Sequence, residues 1–102
     1  MSGSICYEVL AEVDLDLAPA WEHYMLTEHI PDVLLTGSFI EARLDTGDPG
    51  RFRVRYRCAD RATLDRYLTE HAPLLRAESL RRFPSGVQVA RAIWQAGEPI
   101  AG

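Results

Sequence analysis

The sequence predicts an α+β domain in which one β-α-β unit is used twice. Three observations lead there. The phrase Leu26-Thr27-Glu28-His29-Ile30-Pro31 returns as Leu68-Thr69-Glu70-His71-Ala72-Pro73. Each copy sits late in a stretch of helical periodicity. A stretch of two-residue alternation precedes and follows each helix. The chain has 102 residues and reads as a single domain over 1–102, with an ordered core expected at about 5–95. A chain of this size buries roughly 65% of its unfolded surface. Apolar faces left over are expected to be covered by a second subunit.

Residues 1–4 are small and polar and are expected to fray. Residues 5–15 alternate as a first strand, with Ile5, Tyr7, Val9, Ala11 and Val13 on the core face. Asp16 or a neighbour is placed to cap the first helix, with Pro19 in its first turn, where a missing N–H costs little. Trp21, Met25 and His29 are spaced by four and predict an inward stripe, while His23 points outward. Pro31 should break or kink this helix just after His29, and residues 36–38 should stop it.

Residues 39–45 predict strand two, with Ile40, Ala42 and Leu44 inward and Phe39, Glu41, Arg43 and Asp45 outward. Residues 46–50 are loop-forming by composition. Strand three, 51–58, sets Phe52, Val54, Tyr56 and Cys58 against an opposite face of four arginines. Those arginines are expected to pair across the sheet with Glu8, Glu12, Glu41 and Asp45. Asp60 should cap helix two, whose Leu64, Tyr67, Leu68, His71 and Leu75 follow helical spacing. Pro73 interrupts it, a second segment runs to Phe83, and residues 84–86 end it. Strand four, 87–95, carries Val87, Val89, Arg91 and Ile93 on one face and Ala90, Ala92 and Trp94 on the other.

This order is the ferredoxin-like split unit. Right-handed crossovers put both helices on one side of a four-stranded antiparallel sheet. Strand three then lies between strands one and two, and strand one between four and three. The helix-free face carries Leu10, Phe39 and Trp94 among charges, which calls for a partner sheet. The expected assembly is a homodimer through that face, a dimeric α/β barrel.

With these residues placed, the chain resembles a bacterial family of domains of unknown function, numbered 4286. The likeness is carried by Tyr7-Glu8-Val9, by Trp21 with His29-Ile30-Pro31, and by Gly37-Ser38-Phe39. It continues through Tyr56, Tyr67-Leu68, His71-Ala72-Pro73, Arg76, Phe83 and Arg91-Ala92-Ile93. It implies the dimeric α/β-barrel superfamily without an agreed activity. Relatives there include cofactor-free monooxygenases, polyketide cyclases, lactone isomerases, haem-degrading enzymes and ligand-sensing domains, an analogy of fold alone.

Composition excludes several classes. The net charge of −4 leaves no basic excess for nucleic acid. All formal positive charge is arginine, which excludes a lysine Schiff base. No apolar run is long enough to span a bilayer. No secretion signal is read at the start, so a cytoplasmic location is expected. Cys6 and Cys58 fall on opposite sheet faces and are expected to stay reduced. No metal site is expected, and no cofactor; His71 as a single axial haem ligand is the lesser alternative.

The candidate site lies between helices and sheet. Arg91, Tyr7 and Tyr56 should form its floor, and His29 and His71 its roof. Tyr7, Trp21, Met25 and Tyr67 are expected to line it as substrate-binding residues. A histidine titrates near neutrality and can move a proton. Arg91 and a tyrosine can stabilise an oxyanion. The catalytic candidates are therefore His29, His71, Arg91 and Tyr56. Structural roles compete: each histidine can complete a proline kink, the tyrosines can be core, and Arg91 can pair with Glu28, Glu70 or Glu78. Two functions follow. One is a cofactor-independent cyclase, isomerase or monooxygenase acting on an apolar or aromatic, polyketide-like skeleton. The other is a non-catalytic homodimer binding a small molecule or a protein.

Overall fold

A computed structural model describes residues 4–102. The expected fraying at the start falls, for 1–3, outside the described residues. The elements run β1 (Ile5–Val13), α1 (Ala18–Tyr24), a π-helical turn (Met25–His29), α2 (Ile30–Leu35), β2 (Glu41–Thr46), β3 (Arg51–Cys58), α3 (Arg61–Glu70), α4 (Ala72–Arg82) and β4 (Val87–Gln95). The sheet order is β2-β3-β1-β4, antiparallel throughout, as the split unit requires. Among the described residues no helix is long and apolar enough to cross a membrane.

β1 ends two residues before the alternation does. Asp14 turns there: its N–H donates to the Gly86 carbonyl, and its own carbonyl accepts from Leu17 and Ala18. That contact starts α1, so Leu17 takes the N-cap position without a side-chain bond, and Asp16 does not cap. Asp60 does cap α3, accepting from the Thr63 N–H at 2.8 Å. Gly50 closes the β2–β3 loop at φ +84, where its carbonyl accepts from Val13 N–H at 2.7 Å. A Cβ at Gly50 would lie 2.5 Å from the Val13 carbonyl oxygen.

The repeated phrase folds in two ways. A proline ring clashes with the carbonyl four residues before it and removes one helical donor. In the first copy the helix widens: Ile30 N–H reaches back five residues to Met25, and Pro31 enters α2 in its first turn. In the second copy the helix breaks at His71, at φ −118, and α4 restarts with Pro73 in its first turn.

The core lies between the helices and one sheet face. Phe52, Val54, Tyr56 and Cys58 of β3 are all buried there, and Leu64 of α3 is completely enclosed. Phe39 corrects the expected register of strand two. It is buried, with its ring centroid 4.7 Å from Tyr67 and 5.1 Å from Tyr56. Ile40, expected inward, is exposed. Residue pairing begins at Glu41, and before it only the Ile40 N–H bonds to β3, donating to the Arg57 carbonyl at 2.7 Å, so Phe39 lies outside the pleat. Ala42 and Leu44 pack on the core as expected.

On the helix-free face Arg53 and Arg55 each pair with Asp45 at 2.9 Å, and Arg57 with Glu41 at 2.8 Å. The expected pairs with β1 do not form. Glu8 accepts instead from Trp94 Nε1 at 3.2 Å, because Trp94 stands beside it on the neighbouring strand β4. Cys6 stands opposite Arg57 and Cys58 opposite Ile5, so the thiols take opposite faces and are free. Burial pushes both thiols up.

Candidate functional site

A cavity of about 330 Å³ opens between the sheet and the helices. Tyr7 and Val9 of β1, Tyr56 of β3 and Val87, Val89 and Arg91 of β4 form its floor. Trp21, Met25 and His29 reach it from α1 and the π turn, and Tyr67 from α3. Leu75, Arg76, Ser79 and Leu80 of α4, with Phe83 just past its end, close it. The exposed members, Arg76, Leu80, Val89 and Arg91, mark the mouth between α4 and the edge strand β4. No aspartate or glutamate lines it among the described residues.

Seven of the eight expected site residues meet in this one space: His29, Arg91, Tyr56, Tyr7, Trp21, Met25 and Tyr67. His71 does not. It sits at the break between α3 and α4, half-buried, with its ring 6.2 Å from the Tyr67 ring. The helix ends there instead of widening, which carries the imidazole off the stripe.

The π turn sets His29. Its extra residue lets the helix pass Pro31 while His29 stays in line with Trp21 and Met25; such turns recur at functional sites. The His29 Nδ1 is 2.9 Å from Ser79 Oγ, and Ser79 Oγ is 3.4 Å from the Tyr24 hydroxyl. His29 thus bonds a side chain on α4, not a backbone carbonyl freed by the proline. If Nδ1–H donates to Ser79, Nε2 keeps a free lone pair and is a base. If Ser79 donates to Nδ1, Nε2–H is an acid. Burial holds the imidazole below its ordinary value; Asp32 opposes this and the Arg91 charge adds to it. Burial thus favours the neutral imidazole.

Two of the cavity tyrosines, Tyr56 and Tyr67, are held in the protonated form by burial. Burial drives the Tyr56 hydroxyl far up, helped by Tyr67 and Tyr7. Burial pushes Tyr67 up to about 12, against the opposing charges of Arg76 and Arg91. Among the described residues Arg91 has no ion-pair partner, and Arg91 is exposed at the edge of the sheet. The expected bridge to Glu28, Glu70 or Glu78 is absent: Glu28 is held by Arg82 and Glu78 by Arg81.

Arg76 and Ser79 were not among the sequence candidates. Arg76 donates to the Tyr7 hydroxyl at 2.9 Å. Leu75, Ser79 and Phe83 repeat at four-residue spacing, so reading faces on α4 would have turned Ser79 inward and set Arg76 beside it.

The element order and the strand order define a ferredoxin-like α+β chain. More narrowly, the chain belongs to the family described as Domain of unknown function (DUF4286), which matches residues 4–95. No curated protein matches the sequence. Solved structures share the fold. SnoaB from Streptomyces nogalater, a cofactor-independent oxygenase, aligns with TM-score 0.75 and 14% identity, covering 99% of this chain and 100% of its own. A candidate antibiotic biosynthesis monooxygenase from Caulobacter crescentus aligns at 0.68 and 16%, covering 95% and 92%. A dimeric ferredoxin-like protein from an uncultured marine organism aligns at 0.63 and 12%, covering 96% and 99%. At these identities the likeness is one of fold.

Proposed function

We propose that this protein is a homodimeric enzyme that works without a cofactor, removing a proton from an apolar, aromatic substrate. The observation that carries this reading is His29, bonded to Ser79, at the wall of an aromatic cavity that no described carboxylate enters. Nε2 would take a proton from a C–H or O–H made acidic by a neighbouring carbonyl or ring. The phenols of Tyr56 and Tyr67 would donate to the oxygen on which charge develops, and Arg91 would add its field. Collapse of that anion by ring closure or by return of the proton elsewhere gives cyclisation or isomerisation. Its reaction with molecular oxygen gives oxygenation, the activity named for SnoaB.

The dimer reading is supported by the helix-free face. Leu10 and Trp94 are exposed there, and Arg55 Nε is buried without a hydrogen-bond partner among the described residues. A second sheet packed on this face would cover both apolar side chains.

Anthrone, a tricyclic ketone with an acidic methylene, is a suitable probe. Exchange of its methylene protons into D2O under argon, followed by proton NMR, reads proton removal without oxidation. The expected result is acceleration over buffer that drops about 100-fold or more in His29→Ala. Anthrone binding with no acceleration would support the non-catalytic ligand-binding domain instead.

A further inference from the structure

We infer that the cavity takes an aromatic acid, its carboxylate held at the mouth by Arg76 and Arg91 and its ring turned inward among the tyrosines. This deepens the reading above and rests on the same cavity. The chain has 11 arginines. Six of them, Arg53, Arg55, Arg57, Arg61, Arg81 and Arg82, pair with a carboxylate. Arg76 and Arg91 do not, among the described residues, yet they are the two arginines that line the cavity.

Two of the three carboxylates expected to pair with Arg91 are committed elsewhere, Glu28 to Arg82 and Glu78 to Arg81. Among the described residues Arg76 bonds only the hydroxyl of Tyr7, and Arg91 bonds no side chain. Both guanidinium charges act on Tyr67, so their fields overlap in one part of the cavity. A chain of net charge −4 thus directs two unneutralised cations at one apolar space. A guanidinium fork matches a carboxylate with two parallel bonds. Behind the mouth the walls are aromatic: Tyr7 and Tyr56 lie 6.1 Å apart and Tyr7 and Tyr67 6.2 Å. A flat apolar body fits there, and the acid group at the mouth would fix which of its atoms meets His29.

Isothermal titration with 2-naphthoate and its neutral isostere 2-naphthamide tests this. The wild-type protein should bind the acid at least about tenfold more tightly than the amide. Arg91→Gln and Arg76→Gln should each weaken the acid about tenfold and leave the amide unchanged. Arg91→Gln breaks no side-chain bond among the described residues, so its result stands even if Arg76→Gln perturbs the fold. Equal affinity for acid and amide, no binding of the acid at millimolar concentration, or an Arg91→Gln protein that binds it as well as wild type would each overturn the proposal. Discrimination between the two probes without anthrone exchange would leave the anion site standing and remove the catalytic reading.

Discussion

Phe39 is where sequence and structure disagree most sharply, and replacing it separates them. Its side chain is 7% exposed. Its ring lies 4.7, 5.1 and 6.3 Å from the rings of Tyr67, Tyr56 and Tyr7. Phe39→Ala removes most of a buried aromatic side chain from a packed cluster, which costs about 3–5 kcal/mol. Of that, about 0.5–1.5 kcal/mol is the directional part of each ring pair. Ile40 is 58% exposed, and Ile40→Ala should change stability by no more than about 0.5 kcal/mol. Strict alternation reverses the order, with Ile40 in the core and Phe39 on the outer face. Urea unfolding of both variants at one fixed protein concentration decides the matter, since concentration alone shifts the apparent stability of a dimer. An Ile40→Ala loss larger than that of Phe39→Ala would refute the inward turn of Phe39.

Four further outcomes are expected. His29 has a folded pKa below its unfolded value, so the unfolded chain binds more protons as pH falls. Its contribution to stability is full above the unfolded value near 6.5 and is lost as pH falls through the lower folded value, and His29→Gln should flatten the urea midpoint across that window. Arg91→Met should leave stability within about 0.5 kcal/mol of wild type, whereas a loss of about 3–5 kcal/mol would reveal a buried bridge. Gly50→Ala should cost at least about 1–3 kcal/mol in the same unfolding assay, because its φ of +84 and its 2.5 Å approach to Val13 leave no place for a methyl group. Trp94→Glu should shift light-scattering mass from twice 11.5 kDa toward 11.5 kDa, and an unmodified protein already at 11.5 kDa would remove the dimer.

Most of the fold was legible because two periodicities were clean. The alternation in Arg51–Cys58 and Val87–Gln95 gave both strands with their bounds, and element order then gave the sheet. Phe39 departs from the alternation because periodicity cannot say where pairing starts, and a residue two steps before the first pair is free to turn. Asp16 was misread as a cap because β1 and α1 are joined through backbone bonds at Asp14, set by the approach of the Gly86 loop. The site was legible where polar residues interrupt apolar stripes, as at Tyr7, Tyr56 and Arg91. Arg76 and Ser79 escaped notice because α4 is strongly charged and half its inward stripe is polar. His29 and His71 could not be told apart in sequence, since widening and breaking both relieve the same proline clash and tertiary context chooses between them.

That last distinction is also the most direct test of the site. Anthrone proton exchange should be measured for His29→Ala and His71→Ala side by side, with folding checked by circular dichroism. His29 lines the cavity beside Ser79, while the break at Glu70–Ala72 carries His71 away from it. The account predicts that His71→Ala exchanges at the wild-type rate while His29→Ala falls by about 100-fold or more. Equal rates in the two variants, or a loss confined to His71→Ala, would contradict it.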